Sequence, residues 1–157
     1  ALPISGIVTA MVGLLQAPTG TRLYERLKKE GRLLGRMTGD NADGSTNIIP
    51  NNMDADTCRE GYKTILKHIY SPENYYNRIM TLFKEYKSPT IKGTIKFEHI
   101  VGLVNSIYHL GIFGKERVQF WRLLLWTSLH RRDLFPLAVT LAVYGYHFRR
   151  VSELHVL

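Results

Sequence analysis

Cysteine is nearly missing from these 157 residues. Cys58 stands alone, which excludes an internal disulfide, and its neighbours Asp54 and Asp56 give no electropositive setting that would activate the thiol. A reducing compartment is the natural expectation. The six histidines, His68, His99, His109, His130, His147 and His155, are scattered without an H-E-x-x-H or His/Cys spacing, so no zinc site is encoded, and no G-x-S-x-G elbow marks a serine nucleophile. There is also no apolar run of the ~20 residues needed to cross a bilayer. Trp121 to Trp126 and Leu134 to Phe148 are apolar nearly all round, but charged residues flank both closely, and they read as central core helices. Initiator Met and signal peptide are missing too, which suits a piece of a longer protein.

What is present is 45% apolar residues with 11% aromatics, enough for a sizeable core. The net charge of +8 would attract phosphate-bearing partners if it were clustered. The basic residues instead spread over Arg22 to Arg36, Lys63 to Lys67, Lys84 to Lys96 and Arg117 to Arg150 with no long uninterrupted run. A solvated surface accounts for most of them, which disfavours a dedicated nucleic-acid face. Trp121 and Trp126 with Arg122, Arg131 and Arg132 leave an interfacial membrane contact open.

Along the chain, Met11 to Leu15 is a short apolar run punctuated by Pro18 and Gly20, and it reads as a buried strand. Thr21 caps a helix running to Glu30, with Gly31 in the left-handed cap position. No second buried strand with a crossover helix follows, so the strand is an orphan. Residues 36–52 form the longest loop, crowded with Gly, Asp, Asn and Ser. A calcium loop fails there, because placing Gly44 at the turn glycine puts Gly39 at the first ligand position and Pro50 where the bidentate Glu belongs. Asp54 caps a helix from Ala55 to about Tyr70, and Ser71-Pro72-Glu73 starts the next with a cap, an N1 proline and a first-turn carboxylate. Phe97 to Leu110, Lys115 to Arg131 and Pro136 to at least Arg149 read as three more helices joined by short links. The expected fold is mainly all-α: a bundle of about six helices preceded by a short orphan strand.

The residues Pro18, Gly20, Thr21 and Leu23-Tyr24-Glu25-Arg26-Leu27 follow the pattern P-x-G-T then L-Y-E-R-L. Gly39, Asp40, Asn41, Asp43, Gly44, Thr46, Asn47 and Pro50 follow G-D-N-x-D-G-x-T-N-x-x-P. In both, and in the later runs Gly61 to Tyr76, Phe120 to Trp126 and Leu141 to Arg150, the chain resembles the close of the barrel and the helical extension of cobalamin-binding radical S-adenosylmethionine enzymes. Thr19 and Arg22 depart from the commoner P-G-T-P wording. The resemblance implies three parts: 1–35, the end of a radical (β/α) barrel; 36–53, a connecting loop; and 54–157, a C-terminal helical domain. It does not extend to the cofactor motifs. This chain has no C-x-x-x-C-x-x-C for an iron–sulfur cluster and no D-x-H-x-x-G for cobalamin. Tyr108-His109-Leu110-Gly111 offers a histidine without the acid or the spacing, and His109 reads as a partly buried helix residue.

The resemblance therefore implies a non-catalytic fragment of an enzyme whose full-length form uses an iron–sulfur cluster, S-adenosylmethionine and cobalamin, with no cofactor held by this part. The relatives' chemistry includes methyl transfer to unactivated carbon, some of it on lipid-like substrates. The helical part would form a substrate wall or lid. Its partners would be the upstream barrel and cobalamin domain of the same chain and a small-molecule or lipid-like substrate, in the cytoplasm or peripheral to a membrane. Barrel chemistry gathers at the carboxyl ends of strands, so the residues expected near substrate or S-adenosylmethionine are Gln16, Thr19 and Gly20 with Asn41, Asp43 and Asn47 of the loop. Tyr144, Tyr146, His147, Arg149 and Arg150 form a second, aromatic and basic cluster. The alternative from a different class is a freestanding basic helical module that binds nucleic acid or an anionic membrane surface.

Overall fold

The structure, a computed structural model, describes residues 6–35, 38–39, 44–87 and 97–155. The chain is mostly helical, and among the described residues there are six α-helices and no sheet: α1 (Arg22–Lys29), α2 (Ala55–Ile69), α3 (Pro72–Glu85), α4 (Phe97–Ser106), α5 (Arg117–His130) and α6 (Phe135–His155). A π-helix, Ile107–Ile112, continues α4, and a short 3₁₀ turn, Arg132–Leu134, leads into α6. No described helix is long and apolar enough to cross a membrane. The chain forms two compact units, Ala1–Ala10 with Ile69–Arg149 and Met11–His68 with Arg150–Leu157.

In the second unit the caps act where the residue types dictate. Thr21 accepts from Tyr24 N at 3.2 Å at the start of α1. At its end Gly31, at φ +67°, lets Arg32 N reach the Leu27 carbonyl at 2.8 Å and Gly31 N reach Lys28 O at 3.2 Å, the double bond of a Schellman turn. A single antiparallel bridge then pairs Leu33 with Ile48. Asp54 caps α2, accepting from Thr57 N at 2.6 Å and from the Thr57 hydroxyl at 2.8 Å.

In the first unit α3 buries Tyr75, Tyr76, Arg78, Ile79 and Phe83 and packs against α5, which buries Phe120, Leu123, Leu124 and Thr127. Gly145 of α6 lies against the Tyr75 ring, whose hydroxyl donates to Leu141 O at 2.8 Å. Arg78 is fully buried, and its guanidinium donates to Ile69 O at 2.7 Å and to Val8 O at 3.1 Å. Arg131 reaches back to close α3, donating to Phe83 O and Tyr86 O, each at 2.9 Å, while also pairing with Asp133.

Three expectations are corrected. The strand at Met11 to Leu15 does not form: residues 6–16 alternate in burial with the period of two that extended chain has, but Met11 is 92% exposed and no strand pairs beside it among the described residues. Backbone carbonyls that a sheet would take are claimed by side chains instead, Ala10 O by the Tyr70 hydroxyl at 2.6 Å and, in the other unit, Val12 O by the Tyr62 hydroxyl at 3.1 Å. Next, the helix beginning at Phe97 does not stay α to Leu110. It widens into the π turn, where Gly111 admits the Phe120 and Trp121 rings at 3.2 Å from where a Cβ would sit, and His109 is exposed instead of partly buried. Finally, α5 is a core helix on one face only, because Val118, Leu125 and Leu129 are exposed.

Candidate functional site

The turn after residue 15 and the loop at 44–47 are tied together by two side-chain amides. Gln16 is 7% exposed and Asn47 4%. The Asn47 amide spans Ala17, accepting from Ala17 N at 2.7 Å and donating to Ala17 O at 3.0 Å, so one side chain supplies the donor and the acceptor that a neighbouring strand would. Gln16 Nε2 donates to Thr38 Oγ1 at 3.2 Å and to Ser45 Oγ at 3.2 Å, and its Oε1 accepts from Thr38 N at 3.2 Å. Thr46 Oγ1 adds a bond to Leu15 O at 2.6 Å. These bonds use the amides of both residues to set backbone position, and they hold Ala17 fully buried.

That clamp leaves Pro18, Thr19 and Gly20 on the surface. Gly20, at φ +81°, has no heavy atom within 4 Å of where a Cβ would sit, so the turn is open on that side. Of the residues singled out from sequence, Gln16 and Asn47 therefore flank Ala17 from inside, whereas Thr19 and Gly20 face outward. Asn41 and Asp43 lie outside the described residues. Thr38 and Ser45 complete the clamp, and sequence reasoning passed over both. Their signal was weak: small hydroxyl residues beside Gly39 and Gly44, which turn the chain at φ +78° and +69°. The described side chains here are neutral amides and hydroxyls, which can orient a ligand by hydrogen bonds.

In the aromatic and basic cluster near the C-terminus the two arginines have different partners. Arg149 turns inward to buried Glu116, donating to Oε1 at 2.9 Å and lying 2.7 Å from Oε2, and stacks over Tyr146, whereas Arg150 lies 3.7 Å from Glu153. Burial first, and then the Glu116 charge, push the Tyr76 hydroxyl well above the usual phenol range. A pocket of about 10 Å³ lined by Tyr76, Asn77, Met80, Gln119, Arg122 and Leu123 has room for about one water, far below a ligand site. No group of three metal-ligating side chains comes together among the described residues.

Comparison with known proteins adds three findings. A protein of Synechocystis sp. (strain ATCC 27184 / PCC 6803 / Kazusa), named an uncharacterized methyltransferase, is 29% identical over 154 residues, which cover 96% of this chain and 28% of that relative. The chain thus spans little more than a quarter of the relative's length. No solved structure matches. Residues 21–156 match a family described as a domain of unknown function, DUF4070. Since that span begins at the Thr21 cap and takes in all six helices, the likeness covers the fold itself, and the chain belongs to the DUF4070 family.

Proposed function

We propose that this chain is the C-terminal, substrate-proximal part of a methyltransferase of the cobalamin-binding radical S-adenosylmethionine type. Residues 1–35 would close the barrel, 36–53 connect, and 54–157 form the accessory domain. The relative's name supports methyl transfer, and the motif resemblance supports the radical and cobalamin chemistry. The observation that carries the reading is the joint at Ala17: a segment with strand-like alternation ends in a turn that two buried amides lock, leaving Thr19 and Gly20 presented outward. A strand end followed by a fixed loop is where an α/β barrel places its substrate contacts.

In this reading Thr19 and Gly20, with Asn41 and Asp43 of the connecting loop, contact substrate or S-adenosylmethionine, and Gln16 and Asn47 position them. The residues of this chain do not fit an iron–sulfur cluster, since Cys58 is the single thiol. Cluster and cobalamin would belong to upstream segments of the same chain, and this part would hold the small-molecule or lipid-like substrate in place.

The test compares a full-length protein carrying this chain with a version lacking residues 54–157, each reconstituted anaerobically. Both should hold the cluster and release 5′-deoxyadenosine from S-adenosylmethionine. The 157-residue chain alone should bind neither cluster nor cobalamin. Cluster absorbance in the isolated chain would overturn the assignment, and so would a steeply salt-dependent DNA shift by it, which belongs to a freestanding basic module.

A further inference from the structure

Helix α5 has two apolar faces. One, through Phe120, Leu123, Leu124 and Thr127, is buried against α3. The other runs through Val118, Trp121, Leu125 and Leu129 at spacings of three and four, a continuous stripe along one side of the helix. It is open to solvent: Leu129 is 74% exposed and Leu125 60%. The Trp121 indole donates to Gly111 O at 3.1 Å, which anchors the stripe to the π-helix two residues before Phe113, itself 70% exposed. Large exposed apolar surface of this kind marks a contact surface, not ordinary scatter.

Exposed charges along α5 and the turn after it are mostly positive. They are Arg117, Arg122 and Arg132, with Asp133 the acid among them and paired with Arg131. Glu116, just before α5, is buried against Arg149. Arg131 is occupied by the end of α3 and by Asp133, so it stands apart from the exposed cations. An apolar stripe with Trp at its edge and cations alongside fits an interface between acyl chains and negatively charged headgroups.

We propose that the outward face of α5, with Phe113, seats on an anionic phospholipid surface: Val118, Leu125 and Leu129 enter the headgroup–acyl boundary while Arg117, Arg122 and Arg132 meet lipid phosphates. This contact lies in a different unit from the Ala17 joint and does not depend on the methyltransferase reading.

The chain has two tryptophans, Trp121 and Trp126, both in α5, so its tryptophan emission, excited apart from its nine tyrosines, reports on this helix alone. Vesicles of phosphatidylcholine are compared with vesicles of phosphatidylcholine and phosphatidylglycerol, by co-sedimentation and tryptophan emission. The chain should sediment with the anionic vesicles and shift its emission to the blue, and salt should release it. Arg122→Gln should weaken partitioning about fivefold at low salt. Leu125→Gln with Leu129→Gln should weaken it at least about tenfold while leaving the circular dichroism unchanged. Equal binding by that double variant, or no preference for anionic vesicles, would overturn the proposal. So would concentration-dependent self-association that the double variant abolishes without any vesicle binding. Binding by this chain but not by a longer protein that carries it would overturn it too, because the stripe would then be an internal interface.

Discussion

Gly145 and Tyr75 are in contact across two helices, so close that a Cβ on Gly145 would overlap Cε1 and Cδ1 of the buried ring. The ring has no room to retreat, because its hydroxyl is held by Leu141 O at 2.8 Å and its face lies under the Arg78 guanidinium. Gly145→Ala should therefore destabilise the protein by about 1–3 kcal/mol despite the better helix propensity of alanine. Gly61→Ala is the control. That site in α2 is exposed with nothing within 4 Å, and the same substitution should stabilise by about 0.5–1 kcal/mol. Thermal unfolding of the two variants should move in opposite directions.

Arg78 is the largest fully buried side chain among the described residues, and its guanidinium satisfies Ile69 O and Val8 O together. Burial lowers its pKa, but an arginine stays charged at any working pH. Arg78→Met keeps much of the volume and strands both carbonyls, which should cost about 2–5 kcal/mol. Arg78→Lys should recover little, since a single ammonium lacks the planar fork that reaches two acceptors while stacking on Tyr75. Urea unfolding midpoints compare the two.

Asn47→Ala removes the acceptor of a buried backbone N–H, so a loss of about 1–3 kcal/mol is expected with faster hydrogen exchange at Ala17. Asn47→Asp should not rescue it, because a carboxylate oxygen would then face the Ala17 carbonyl where Nδ2 now donates at 3.0 Å. Slow Ala17 exchange in Asn47→Ala would show that the clamp is dispensable.

The Asp54 carboxyl is held below its ordinary value of 3.8, first by the Thr57 N–H and then by the Thr57 hydroxyl. A carboxyl whose folded pKa is depressed stabilises fully above its unfolded value, and that contribution fades as pH falls through the lower folded value. The stability gap between the natural chain and Asp54→Ala should thus be constant at neutral pH and narrow below pH 3.8. A gap independent of pH down to acid unfolding would mean that the cap acts without its charge.

Most of the helix set was legible because start and stop signals are local. Thr21, Asp54, Ser71 and Pro72 stand where the caps form, and Gly31 adopts the left-handed turn. What could not be read depends on distant partners. A uniformly apolar stretch such as Trp121 to Trp126 does not say which side is covered, and nothing in Ile107–Ile112 announces that aromatic rings from α5 will press on Gly111 and widen the helix. At the candidate site the polar residues were visible as types. Their role was not, because Asn47 acts on a backbone group 30 residues earlier.

The carbonyl of Val8 waits for a guanidinium 70 residues later, and that of Ala10 for a hydroxyl 60 residues later. On a ribosome adding about 5–20 residues per second, the start of this chain spends roughly 4–14 seconds in the open before α3 exists to hold it. These two carbonyls are fastened long after they are made, so the stretch that carries them depends on α3 and the residues just before it for its place.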